Sequence, residues 1–497
     1  MLHDIGINAF HSKPGGNTVR KIVILALAML LPAGAFADAN KGKMLYDAWC
    51  AQCHGYEGDG KGYASGNYTL PQPRDFTKGT YKFRTTPSGE PPTDEDIVRS
   101  TQKGNPGTSM PPWTRFSDEE VRSIVEYIKS FDEETFELQG KAFQIGKAPS
   151  PSDALIKQGM EIFEKAKCWE CHGRAGRGNG EKGWQSDFKN DGGTRAWPTD
   201  LTHNWEYRNF PAVEDIYRSI TSGFDGTPMA SFQTSYSEQD RWALSHYVKS
   251  LQVTRKTGSA LTAKKVDTIP AVSDKKQWEA VAYIDLPLSG QLIFEPRQFI
   301  PVVTNIRVRS LYTDAEVSIL LEWTDKRPNK GSDGHPADAV RLQFPVQLSS
   351  GAEKPYFYLG DSAHPVNLWY WRASDDQAVE FNASGQKENA MVTQEQNNIR
   401  VESEYSDGLY RILLRRPLAT GDKNDITFVP DTFIPLSVTV YDGEHDEQAD
   451  RAAISAWYHV MLEPPAPLKV YVLPPAAAFA CIGASLFIRK KLKKLKT

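Results

Sequence analysis

The sequence predicts a multidomain chain: two all-α domains, then an all-β sandwich, then a C-terminal transmembrane helix. Three observations carry this expectation. Helical periodicity fills the first half of the chain and occurs as a repeat; alternating apolar patterns replace it beyond residue 276; and an apolar run at 468–488 precedes a cluster of lysines. The 497 residues allow about three domains at roughly 150 residues each. Lys and Arg number 58 against 62 Asp and Glu, a formal net charge of -4, so there is no global basic field for nucleic acid. With 40% hydrophobic and 24% charged residues, a disordered scaffold, a collagenous rod and a polytopic membrane protein are excluded.

The first element is a leader. Arg20 and Lys21, the apolar run 22–31 and Ala35-Phe36-Ala37 have the charge, apolar and small-residue pattern of a secretory signal over residues 1–37.

The two helical domains are expected at 39–140 and 152–254. Each opens with a C-x-x-C-H pentapeptide: Cys50-Ala51-Gln52-Cys53-His54 and Cys168-Trp169-Glu170-Cys171-His172. Two thiols one helical turn apart can add to the vinyl groups of a c-type haem, and the adjacent imidazole then lies under the iron. A zinc knuckle or a redox disulfide is the competing reading of a lone C-x-x-C. The following His, the duplication and the export signal all count against it. Met110 lies 56 residues after His54, and Met229 lies 57 after His172. Beyond each Met comes a helix start, Ser117 with Glu120 and Ser237 with Asp240. Apolar residues then recur at helical spacing, Val121, Ile124, Val125 and Ile128 in one copy and Leu244, Tyr247, Val248 and Leu251 in the other. These faces should pack on the helices that carry Leu45 and Trp49, and Ile162 and Phe163.

This pattern resembles two tandem class I cytochrome c domains. The resemblance implies covalent haem c at Cys50 and Cys53 and at Cys168 and Cys171, with axial iron ligands His54 and Met110 in the first domain and His172 and Met229 in the second. A thioether opposite an imidazole suits electron transfer and disfavours binding of oxygen or peroxide. His203 and His246 are rival distal ligands for the second haem, and Met44 and Met160 read as packing residues.

Residues 255–275 read as a linker. The sandwich is expected over 276–465, with strands at 316–323, 339–344, 409–415 and 436–441 separated by Asp-Gly, Pro and Asn clusters. Trp278, Leu320-Leu321-Glu322-Trp323-Thr324-Asp325, Gly360-Asp361, Val366-Asn367-Leu368-Trp369-Tyr370-Trp371 and Ser455-Ala456-Trp457 together resemble the haem-binding domain of ethylbenzene dehydrogenase γ-subunits, the type II γ-subunits of the DMSO reductase family. That resemblance implies a β-sandwich that holds a b-type haem and passes electrons beside a molybdopterin enzyme. The family's haem ligands are a Met before the Gly-Asp and a Lys before the Ser-x-Trp. This chain has Tyr356-Phe357-Tyr358-Leu359 and Arg451-Ala452-Ala453-Ile454 there, so both expected ligands are absent. His364, Met391, His459 and Met461 are the remaining residues that could ligate. A third haem, of b type, thus stands as an alternative to a sandwich kept for docking or spacing.

Residues 468–488 are predicted to span the membrane and 489–497 to form a basic cytoplasmic tail, with Cys481 a small packing residue inside the span. Pro474-Pro475 near its start should kink or shorten it. The functional expectation is a dihaem c-type cytochrome on the periplasmic side of the inner membrane. It would be a non-catalytic electron-transfer subunit with no catalytic residues of its own, beside the catalytic and iron-sulfur subunits of a molybdopterin oxidoreductase, exchanging electrons with a quinol-oxidising complex or soluble cytochrome. The alternatives are a haem enzyme such as a dihaem peroxidase, and a sandwich that captures a ligand through Trp369, Tyr370 and Trp371.

Overall fold

The computed structural model describes residues 38–494 apart from 67, 68, 70, 139, 333, 349–352, 387–390 and 465–467; the predicted signal at 1–37 lies outside them. The first helical domain comprises α1 (Ala39–Trp49), α2 (Ala51–His54), α3 (Asp94–Lys103), α4 (Asp118–Lys129) and α5 (Glu133–Glu137). The second repeats it with α6 (Asp153–Lys165), α7 (Trp169–His172), α8 (Val213–Ser222) and α9 (Glu238–Leu251). Ser117 and Glu120 close a reciprocal capping box that starts α4, and Ser237 accepts from the Asp240 amide to start α9.

In both domains the first helix crosses the long capped helix, α4 in one and α9 in the other. Gly42 on α1 faces the Ser123 carbonyl of α4, and Gly159 on α6 faces the Ala243 carbonyl of α9, each so closely that a Cβ would overlap it. Around the first crossing pack Tyr46, Val121, Ile124 and Val125; around the second, Ile162, Phe163, Leu244 and Val248. Met44 and Met160, expected to pack inside, instead lie on the outer faces of α1 and α6, 68% and 44% exposed.

The β region comprises β1 (Ala260–Lys265), β2 (Tyr283–Pro287), β3 (Ser289–Gly290), β4 (Asn305–Tyr312), β5 (Glu316–Thr324), β6 (Ala339–Pro345), β7 (Val366–Arg372), β8 (Gln377–Ala383), β9 (Met391–Thr393), β10 (Arg400–Ser406), β11 (Leu409–Pro417), β12 (Phe433–Tyr441), β13 (Ala453–Ile454) and β14 (Tyr458–Leu462), with a short helix α10 (Lys275–Glu279). The predicted sandwich of separate sheets is corrected here. Among the described residues all fourteen strands join one mixed sheet, ordered β10-β11-β5-β4-β1-β14-β12-β6-β7-β8-β9, with β2, β3 and β13 branching from it.

The cause is β1, which falls inside the predicted linker 255–275. It pairs in parallel with β4 on one side and β14 on the other, and so joins two limbs that would otherwise be separate. The limbs fold over and share one core: Trp323 of β5 meets Trp371 of β7 at 6.3 Å between ring centroids, edge to face. Arg416 of β11 and Glu380 of β8 form an ion pair across that core at 2.9 Å, both fully buried. Trp369 and Trp371 are buried as well, so they offer no platform to a ligand.

The predicted transmembrane helix is also corrected. Residues Leu468–Lys494 form a helix, α11, but among the described residues no helix is long and apolar enough to cross a membrane. Pro474 and Pro475 lie inside α11. Cys481 is exposed on this helix.

Candidate functional site

The two pentapeptides have the same surroundings. Cys50 and Cys168 stand at the starts of α2 and α7, and the amides of His54 and His172 each donate to the carbonyl of the first cysteine at 2.9 Å. His54 Nδ1 donates to the Arg74 carbonyl at 3.0 Å, and His172 Nδ1 donates to the Thr199 carbonyl at 3.0 Å. A carbonyl can only accept, so the proton is on Nδ1 and the Nε2 lone pair is left for a metal. Burial lowers the pKa of both imidazoles, which keeps them neutral and able to ligate. Phe76 stacks on the His54 ring at 4.7 Å and fixes its plane.

The four cysteines are free. Burial pushes the Cys50 and Cys168 thiols up to about 12 and raises Cys53 and Cys171 as well.

The two methionine loops also match. The Asn105 amide donates to the Met110 carbonyl at 3.0 Å and the Met110 amide to Thr108 Oγ1 at 3.1 Å; the Phe224 amide donates to the Met229 carbonyl at 3.0 Å and the Met229 amide to Thr227 Oγ1 at 3.2 Å. Gly104 and Gly223 end α3 and α8 at φ of 65° and 63°, and a Cβ on either would strike the backbone just after the methionine.

In the second domain Cys168, Cys171, His172 and Met229 line a single cavity of about 1840 Å³ whose apolar walls include Phe163 and Leu244. His203 and His246 are not among its lining residues. His203 Nδ1 is 3.0 Å from Glu206 Oε1 and its ring stacks on Trp205 at 4.3 Å, while His246 is buried within α9.

The cavity extends to the junction of all three domains, where Arg74 and Lys82 of the first domain and Thr304 and Lys326 of the β domain complete its wall. Among the described residues no carboxylate lies within salt-bridge distance of Arg74 or Lys82. Burial, then Arg74 and Arg208, bring the Lys82 pKa down to about 8. Arg74 and Lys82 are cations without a salt-bridge partner on a wall that also carries Asp191, and together with the apolar sides and the thiol pair they fit a porphyrin that carries two propionates. Arg74 touches both sites, because its carbonyl also holds His54.

Ionic contacts fix the two helical domains against each other. Arg84 is fully buried and donates to Asp225 at 2.7 Å and to the Ser222 carbonyl at 2.9 Å, beside the Met229 loop. Arg99 reaches Asp215 at 2.5 Å and Asn209 at 2.8 Å. The β domain holds the second helical domain through Arg177 to the Asp407 carbonyl and Lys326 to the Pro198 carbonyl, both at 2.8 Å. Reading the sequence did not find these residues, since a buried arginine has no spacing signature.

The fold does bring together the two segments where the family resemblance puts b-haem ligands. Tyr358, Leu359 and Ala452 share one buried cluster with Tyr441 and Ile454. Leu359 and Ala452 have no donor atoms, and the Tyr358 hydroxyl donates to Asp450 at 2.9 Å. Side chains fill the space, so the residues do not fit a haem there. Of the other residues able to ligate, His364 contacts Asp361 at 3.1 Å, His459 contacts Lys354 at 3.1 Å, Met391 is 49% exposed, and Met461 is half-buried on β14.

Residues 37–128 match the model of cytochrome c oxidase cbb3-type subunit III, 156–252 that of cytochrome c, and 275–398 that of ethylbenzene dehydrogenase. The chain consists of cytochrome c domains joined to an ethylbenzene dehydrogenase γ-like domain. A Haloferax mediterranei protein named as a respiratory nitrate reductase heme subunit is 26% identical over 248 residues, which cover 47% of this chain and 88% of that protein. The chlorate reductase subunit gamma of Ideonella dechloratans is 23% identical over 159 residues, 31% of this chain and 64% of that protein. In the solved Kuenenia stuttgartiensis reducing HAO-like protein complex, one chain is 42% identical, covering 43% of this chain and 96% of that one with a TM-score of 0.41.

Proposed function

We propose that this cytochrome c-containing chain is a dihaem electron carrier that works, outside the cytoplasm, as a subunit of a respiratory molybdopterin oxidoreductase. Haem c, when bound, supplies a one-electron redox centre at each C-x-x-C-H. The chain's own residues do the rest. Arg74 and Thr199 carbonyls hold the histidines in the ligating tautomer, Gly104 and Gly223 let the Met110 and Met229 loops pack against the ends of α3 and α8, and Arg84 and Arg99 fix the two domains against each other. The carrying observation is the cavity in which Cys168, Cys171, His172 and Met229 meet. Met229 would hold a haem bound in this cavity together with His172, and a thioether ligand would leave no open position for peroxide, which supports a carrier over a peroxidase.

The relatives named as nitrate and chlorate reductase subunits support the partnership, and the leader at 1–37 supports export. The nitrate-type or chlorate-type substrate belongs to the partner in this reading. The test is purification from native membranes or periplasm under mild conditions. Recovery in a stable complex with a molybdenum-containing subunit, and oxidation of the reduced chain by that complex when its substrate is added, is expected. A chain that purifies alone and reduces peroxide rapidly would overturn the proposal.

A further inference from the structure

The turns at one end of the folded sheet gather four acidic side chains. Asp325 follows β5, Asp338 precedes β6, and Asp442 and Glu447 follow β12. All are buried, at 4%, 0%, 3% and 0% exposure. One carboxylate oxygen from each of the three aspartates lies within 4.8 Å of the others. Like charges so close in a poorly solvated site need a counter-charge or protons.

The hydrogen bonds show which oxygens are left over. Asp338 Oδ1 accepts only from the Gly443 amide at 2.8 Å and keeps one lone pair open, while Oδ2 accepts from the Asn329 amide at 2.6 Å and the Tyr410 hydroxyl at 2.9 Å. Asp325 Oδ1 accepts from the Arg327 amide at 2.9 Å, and Asp442 Oδ2 lies 3.1 Å from His445 Nδ1. Asp325 Oδ2 and Asp442 Oδ1 remain, both shut off from solvent and with no hydrogen-bond partner. Among the described residues no Lys or Arg nitrogen lies within salt-bridge distance of the four carboxylates, and the adjacent Lys326 is spent on the Pro198 carbonyl. Burial and then the neighbouring aspartates push Asp325 well above the usual carboxylate range, which records the same unbalanced charge.

We propose that Asp325, Asp338 and Asp442 form a site for one calcium ion that ties the turn between β5 and β6 to the turn after β12. The ligand atoms are hard oxygens from two connections, the one between β5 and β6 and the one after β12, a set that suits calcium better than zinc or copper. The ion would also steady the contact with the second cytochrome domain, because His445 and Lys326 flank the site and meet Trp197, at 5.4 Å, and the Pro198 carbonyl.

The test is a calcium chloride titration of the chelator-treated dihaem protein, read by calorimetry and by thermal melting with haem content monitored. One ion per chain is expected, with the melting temperature raised by about 5–10 °C at a hundredfold excess over Kd. Asp442→Asn and Asp325→Asn should each lose the binding heat while keeping both haems. Absence of binding heat and of any melting shift in the wild type would overturn the proposal, as would binding that survives both substitutions.

Discussion

At the scale of single residues, the chemistry depends on which nitrogen of each histidine is already engaged. His54 and His172 both donate Nδ1–H to a carbonyl, so a metal meets Nε2 in either domain. Met229 lines the second cavity together with His172. Met229→Ala should leave both covalent attachments intact, lower the potential of one haem, and let about half of the reduced haem bind carbon monoxide. Carbon monoxide difference spectra check this, and wild type should bind almost none. His203 gives a pH prediction. Burial alone would lower its pKa, but Asp200 and Glu206 outweigh burial and raise it. The stabilisation is therefore complete below the unfolded value of about 6.5 and is lost as pH rises through the folded value. Melting curves of wild type and His203→Gln should differ most in mild acid and converge in mild alkali.

At the scale of elements, each helical domain depends on a close crossing made possible by one glycine. Gly42→Ala or Gly159→Ala forces a methyl into a carbonyl of the facing helix and should cost about 1–3 kcal/mol, read by denaturant unfolding of the domain concerned. These helices were legible in the sequence because caps and apolar spacing are local signals: Ser117, Glu120 and the run from Val121 to Ile128 all lie within one helix. The strand β1 was not legible. Only Leu261 and Ala263 face inward, among lysines and threonine, and pairing on both sides is a non-local property. The run at 468–488, whose Pro474 and Pro475 were already visible in the sequence, forms α11, but among the described residues no helix is long and apolar enough to cross a membrane. The haem attachment residues were readable as a word; the wall of Arg74 and Lys82 around them was not, because it assembles from distant segments.

At the scale of the whole molecule, the second cytochrome domain lies between the first and the β domain, and one cavity touches all three. Arg84 holds the first joint. Arg84→Gln leaves Asp225 and the Ser222 carbonyl without a buried cation and should cost about 3 kcal/mol, with slower electron exchange between the haems as the two domains loosen. Melting temperature and rapid partial-reduction kinetics would show both effects. In the β domain Leu359 and Ala452 occupy the positions where the family resemblance puts b-haem ligands, and both are buried in one cluster. The central claim, two closed haem c sites and none in the β domain, is tested most directly by near-infrared magnetic circular dichroism of the oxidised holoprotein, scaled to the number of haems per chain. Two low-spin haems with histidine and methionine axial ligands are predicted; a high-spin haem, a bis-histidine haem or a third, non-covalent haem would contradict the account.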